Sequence, residues 1–186
     1  MKNPLIVKFE WHGKERIKGL SFHPRRPWLL VGDRAGVVEL WDYRMQVLIH
    51  RYENAHTGPV RCVQFHATQP LFVTCGDDHL IKVWNYQQNK CLFTLAGHSD
   101  YVRSVAFHHE YPWIVSASDD NLIKIWNWQS RTCISTLPGH TSYVMSVRFH
   151  PTLDLIGSAS LDGSARYVSL TLSNIQSHIA LQYVHL

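Results

Sequence analysis

Residues 116–127 read SASDDNLIKIWN, and residues 74–85 read TCGDDHLIKVWN. Asp119, Asp120 and Trp126 stand where Asp77, Asp78 and Trp84 stand 42 residues earlier. The same spacing extends along the chain. Trp41, Trp84 and Trp126 are separated by 43 and 42 residues. An aromatic-His pair recurs at Phe22-His23, Phe65-His66, Phe107-His108 and Phe149-His150, at intervals of 43, 42 and 42. A third marker is His56, Gly97-His98 and Gly139-His140.

Three markers with one period of about 40 to 45 residues indicate propeller blades of four strands each. Local patterning agrees. VRCVQFH, VRSVAFH and VMSVRFH alternate apolar and polar residues, as do LIKVWN and LIKIWN. LFVTCG and WIVSAS are β-branched or apolar runs that end in small residues, and CLFTL and CISTL supply a fourth strand. No stretch carries a helical period long enough to compete, so the chain is expected to be all-β.

Composition sets bounds on function. The chain has 186 residues, is 45% hydrophobic and 12% aromatic, and holds seven Trp, enough for a core with repeated large anchors. A net charge of +4 with scattered Lys and Arg gives no clustered patch for nucleic acid. The four cysteines Cys62, Cys75, Cys91 and Cys133 form no C-x-x-C pair. Cys91 and Cys133 fall at one repeat position, which reads as small buried residues in a reducing compartment. MKNPLIVKFEW is too short an apolar run for a signal peptide, and no segment reaches the ~20 residues of a membrane helix. The expected location is cytoplasmic, with no direct membrane insertion.

The repeated sentence resembles the WD-repeat family. That resemblance implies a buried network in each blade: His56, Thr74, Asp78 and Trp84, then His98, Ser116, Asp120 and Trp126. A buried carboxylate needs such partners. These residues, and the recurring His, are read as structural, with no metal site and no cofactor. The end copies depart from the pattern. Ala35 replaces the first Asp, Trp11-His12-Gly13 stands near the missing Gly-His, and Val168 replaces the last Trp although Asp162 remains. About four blades are therefore expected of a ring that at this period needs about 300 residues for seven. The expected division is a half propeller over 1–168 and a divergent tail over 169–186.

Positions that differ between copies can carry specificity. Four residues before each Phe of the aromatic-His pair the chain reads Lys18, Arg61, Arg103 and Met145; six before, Arg16, Pro59, Tyr101 and Tyr143; seven before, Glu15, Gly58, Asp100 and Ser142. A further column reads Asp33, Asp77, Asp119 and Leu161. One side of a propeller rim is thus expected to be cationic and its neighbour acidic and aromatic. A peptide carboxylate beside lysines fits such a surface. No catalytic constellation escapes the repeat, and the chain is not expected to be an enzyme.

Several stretches are more specific than a generic repeat: KGLSFHPRRPWLL (18–30), LWDYRM (40–45), TQPLFVTCGDDHLIKVWN (68–85) and FHHEYPWIVSASDDNLIKIWNWQSRTC (107–133). They resemble the N-terminal propeller of the coatomer alpha-subunit family, a component of the COPI vesicle coat. The resemblance implies recognition of C-terminal dilysine retrieval signals on membrane cargo in Golgi-to-ER transport. It implies a carboxylate held by Arg16, Lys18 and Arg61. It implies lysines held by Asp77, Tyr101, Asp119 and Tyr143, with Asp100 a weaker candidate. Where relatives often carry His in the first Asp-turn, this chain has Arg34. Other coatomer subunits and peripheral placement on Golgi membrane and COPI-coated vesicles follow from the same resemblance. The alternative is a scaffold fragment that mediates assembly without a peptide ligand of its own.

Overall fold

The structure is a computed structural model that describes residues 15–170. The expectations for Trp11-His12-Gly13, the amino-terminal run and most of the 169–186 tail lie outside the described residues. Fifteen strands follow one another, and no helix occurs among the described residues. Blade one is β1 (Ile17–Phe22), β2 (Trp28–Asp33), β3 (Val38–Asp42) and β4 (Val47–Tyr52). Blade two is β5 (Val60–Phe65), β6 (Leu71–Gly76), β7 (Ile81–Asn85) and β8 (Lys90–Leu95). Blade three is β9 (Val102–Phe107), β10 (Trp113–Ser118), β11 (Ile123–Asn127) and β12 (Thr132–Leu137). Blade four has three described strands, β13 (Val144–Phe149), β14 (Leu155–Ser160) and β15 (Ala165–Ser169). Each sheet is an antiparallel meander with its strands in chain order.

The core lies between blades. Strand alternation sends Phe72 towards blade one, where it meets Leu30, Val38, Leu40 and Tyr52, with Val60, Val63, Phe65 and Trp84. The alternate residues Leu71, Val73 and Cys75 face blade three and its Val102, Val105, Phe107 and Ile114. A third cluster joins Val115, Ala117 and Ile125 to Val144, Val147, Ile156 and Val168. Central strands are therefore buried on both faces; β6 and β10 are buried at every position.

At the ends of the array this double burial stops. Leu20 and Phe22 are 55% and 62% exposed, whereas Val63 and Phe65 at the same blade positions are 3% and 6% exposed. β14 alternates instead of burying both faces, and its open side carries Gly157 and Ala159 where β10 has Val115 and Ala117. The architecture is that of four blades of a β-propeller. One expectation is corrected here: Cys91 is half-buried, packed at the margin of the seam between blades one and two, and Cys133 is exposed, because both sit on the outermost strand of a blade.

Candidate functional site: one rim of the propeller

Two histidine columns hold the blades in shape. The first belongs to the aromatic-His pairs. His23 Nδ1 accepts from the Arg25 and Arg26 backbone N–H groups at 3.0 Å each. His66 accepts from Thr68 and Gln69, His108 from Glu110 and Tyr111, and His150 from Thr152 and Leu153. The ring thus caps the turn between the first two strands of every blade, and only a ring with unprotonated Nδ1 can do so.

Burial pushes the His23, His66 and His108 pKa values down, with Arg26 and Arg25 assisting at His23 and His109 at His108. A depressed histidine adds stability that is complete above its unfolded pKa of about 6.5 and is lost as pH falls below that value through the folded pKa. We therefore expect a lower melting temperature at pH 5.5 than at pH 7.5 by calorimetry. An unchanged or higher value would contradict neutral capping histidines.

The second column closes the opposite turn. His56 Nδ1 lies 2.8 Å from Asp78 Oδ1, and His56 Nε2 lies 2.7 Å from Thr74 Oγ1. Trp84 Nε1–H donates to the same Thr74 hydroxyl at 3.0 Å. In blade three His98 bonds Asp120 at 2.7 Å and Ser116 at 2.7 Å, with Trp126 Nε1 donating to Ser116 at 2.8 Å. Blade four keeps His140, Ser158 and Asp162 at 2.8 and 2.9 Å, without a Trp. Burial is the largest single influence and pushes Asp78 and Asp120 upwards, but His56 and His98, through hydrogen bond and charge, together with the backbone N–H groups of Leu80 and Thr57 or Leu122 and Ser99, hold both below the usual carboxylate range. Blade one replaces this set with Trp41 Nε1–H donating to Glu39, which also pairs with Arg51.

The variable residues gather on one rim through a repeated backbone bond. The residue after the second strand donates its N–H to the carbonyl of the residue directly before the first strand. These bonds are Arg34 to Arg16, Asp77 to Pro59, Asp119 to Tyr101 and Leu161 to Tyr143, at 2.9 to 3.1 Å. The expected column of Asp33, Asp77, Asp119 and Leu161 is one residue out of register in blade one. Asp33 ends β2 as Gly76, Ser118 and Ser160 end β6, β10 and β14. It is buried, and its Oδ1 accepts from Val37 N–H at 2.9 Å. Arg34 occupies the rim position.

Each first strand is irregular near its start, where Lys18, Arg61, Arg103 and Met145 are skipped by the pairing register. Such a bulge re-aims the side chain. In blade two it brings Arg61 onto Asp77 with two bonds, Nε–Oδ1 at 2.5 Å and Nη2–Oδ2 at 2.6 Å. In blade three Arg103 pairs in the same bidentate way with Asp119. The Asp119 hydrogen bond raises the Arg103 pKa, and the nearby Asp77 and Asp100 add to the effect. Tyr101 lies between the pairs, its ring centre 6.0 Å from the Arg61 guanidinium, 5.7 Å from that of Arg103 and 5.7 Å from the His79 ring. Asp100 accepts from the Tyr101 N–H at 2.7 Å.

Arg61 therefore belongs to the same ion pair as Asp77, although the sequence reading gave the two to opposite ends of a ligand. Arg103 and His79 join the cluster without having been assigned a role. The signal for Arg103 was its place in Arg61's column; nothing in the spacing marked His79. Arg16, Lys18 and Arg34 are exposed, and none has an ion-pair partner among the described residues. In blade four the rim turns apolar, with Tyr143, Met145 and Leu161 at 44%, 39% and 61% exposure. Charge thus runs from cationic, through internally neutralised Arg-Asp pairs about Tyr101, to apolar. Among the described residues no cluster of His, Cys, Asp or Glu is arranged to hold a metal ion.

Comparison with known proteins agrees with this architecture. The chain is similar to Coatomer subunit alpha-1 of Arabidopsis thaliana, 62% identical over 49 residues, which cover 26% of this chain and 4% of that protein. It is 57% identical over 47 residues to Coatomer subunit alpha of Saccharomyces cerevisiae, covering 25% of this chain and 4% of the relative. It is also 41% identical over 63 residues to Polyadenylation factor subunit 2 of Candida albicans, 34% of this chain and 11% of the relative. The matched stretch is thus a small fraction of each relative's length. The WD domain, G-beta repeat family matches residues 3–42, 46–85, 89–127 and 131–168. With that family covering most of its length and four antiparallel blades in its structure, the chain belongs to the WD-repeat family.

Proposed function

We propose that this chain is the propeller portion of a vesicle-coat subunit, and that its rim recognises membrane-cargo tails ending in a dilysine signal for Golgi-to-ER transport. Similarity to coatomer alpha subunits supports the coat assignment. On this reading its assembly partners are other coatomer subunits, and it sits peripherally on Golgi membrane and COPI-coated vesicles. On this reading the chain divides into a binding portion over 1–168 and a divergent tail over 169–186. The activity is binding, without catalysis.

The observation that carries the reading is the lateral charge order of the rim: cations on blade one with no ion-pair partner among the described residues, beside carboxylates and an exposed tyrosine on blades two and three. A chain-end carboxylate docks on Arg16 and Lys18, with Arg61 at the border. The ligand's lysines reach Asp77, Asp119 and Asp100, with the rings of Tyr101 and Tyr143 alongside. Arg61 and Arg103 do not exhaust the carboxylates they hold, because a carboxylate offers about four acceptor sites and each Arg takes two.

The test is binding of a peptide ending in Lys-Lys-Ala-Ala as free acid and as amide. A charged hydrogen bond to the carboxylate is worth about 1.5–3 kcal/mol, so amidation is expected to weaken binding about tenfold or more. Equal affinity for the two forms would remove the proposal.

A second reading is favoured by one observation, the bared Leu20 and Phe22 where the equivalent residues of blade two are buried. On that reading the chain is an assembly scaffold whose first blade docks another propeller. Sedimentation separates the two: a stable complex through this face, with no affinity for either peptide, selects the scaffold.

A further inference from the structure

Blade one solves the charge problem of the rim differently from its neighbours. In blades two and three the bulged cation, Arg61 or Arg103, grips the aspartate that follows the second strand, Asp77 or Asp119. By the same register, Lys18 is the bulged residue of β1, and Arg34 follows β2. The Arg34 N–H bonds the Arg16 carbonyl at 2.9 Å, as Asp119 N–H bonds the Tyr101 carbonyl. The register thus gives Lys18 a second cation in the place where the neighbouring blades put a carboxylate. Arg16 adds a third positive charge at the same edge; the described acids beside these residues in sequence are the exposed Glu15 and the buried Asp33, whose Oδ1 already accepts from Val37 N–H. None of the three cations has a described partner. Like charges placed together repel, and a bound anion relieves the repulsion. One carboxylate replaces the missing aspartate between Lys18 and Arg34 and still leaves positive charge over.

We propose that Arg34 is an anion-binding residue. With Lys18 and Arg16 it selects a chain end that carries two negative groups close together: the terminal carboxylate and an acidic side chain within the last two residues. The acidic side chain takes the position that Asp77 and Asp119 take in the next blades, bridging Lys18 and Arg34. The terminal carboxylate docks on Arg16 and Lys18. This rests on the reading that a chain end docks on this rim, and it adds which chain ends are preferred.

The experiment compares three free-acid peptides on the whole chain by fluorescence anisotropy at low salt: one ending Lys-Lys-Ala-Ala, one ending Lys-Lys-Ala-Asp, and one ending Ala-Ala-Ala-Asp. The Lys-Lys-Ala-Asp peptide is expected to bind about tenfold tighter than Lys-Lys-Ala-Ala, the fold-change of one added charged hydrogen bond. Arg34→Ala is expected to bring that ratio to about one. Arg34→Asp installs the residue that blades two and three carry at this position, gives Lys18 a partner, and is expected to weaken both lysine peptides while leaving the melting temperature unchanged or raised.

Equal binding of the two lysine peptides, or a preference that survives Arg34→Ala, overturns the two-anion site and leaves the dilysine reading standing. If Ala-Ala-Ala-Asp binds as tightly as Lys-Lys-Ala-Asp, the two-anion site stands and the dilysine reading falls. If no peptide binds, both fall.

Discussion

Asp120→Ala is expected to lower the unfolding free energy by about 3 kcal/mol, measured as a shift of the urea midpoint. The Asp120 side chain is 5% exposed and accepts from His98 Nδ1, from Ser99 N–H at 3.1 Å and from Leu122 N–H at 3.0 Å. Alanine leaves these donors without their acceptor, and each buried orphan costs about 1–3 kcal/mol, reduced wherever water can enter. The loss would spread, because His98 also orders Ser116, whose hydroxyl accepts from Trp126. His98→Ala should therefore cost a similar amount, and the double variant less than the sum, since both break one network. Against a typical total of about 5–15 kcal/mol this is a large share. A change below about 0.5 kcal/mol for Asp120→Ala would mean that the network is ornamental.

Phe72→Ala should cost about 4 kcal/mol. Its side chain is fully buried and stacks on Trp84 with centroids 5.8 Å apart and planes at 3°. The edge of Tyr52, from blade one, meets it at 5.1 Å, and Phe65 lies at 6.4 Å. Truncation removes the transfer energy of the ring and leaves a cavity that the two sheets cannot collapse to fill. Because the ring spans the seam, backbone amides of β2 and β3 should lose hydrogen-exchange protection more than those of β10. A cost under about 1 kcal/mol, or equal loss of protection in blade three, would show that the seam is not held there.

The repeat was legible because each blade solves the same problem with the same local chemistry. Phe-His recurs because a turn needs an acceptor at its corner, and His23, His66, His108 and His150 all supply it through Nδ1. Asp78 and Asp120 recur because a turn with exposed N–H groups at Leu80 and Leu122 needs a carboxylate. The rim was legible only as a set of positions. The misplacement of Asp33 came from matching residue type rather than register: blade one keeps the same turn length, and Arg34 stands where Asp77 and Asp119 stand. Cys133 looked buried because small residues in repeats usually are, and its strand is the outermost of its sheet.

The order of residues was enough to establish period, strand class and family, since those follow from alternation, turn chemistry and copies in register, all local along the chain. It could not say which charges remain free. Arg61 and Asp77, or Arg103 and Asp119, lie sixteen residues apart, and whether they meet depends on a bulge in β5 or β9 turning a guanidinium over the end of the next strand. Electrostatic pairing is decided over a few ångströms, and only folding sets that distance, so it took three dimensions to remove Arg61 from the group of Arg16 and Lys18, to add Arg34, and to leave these three without an ion-pair partner among the described residues.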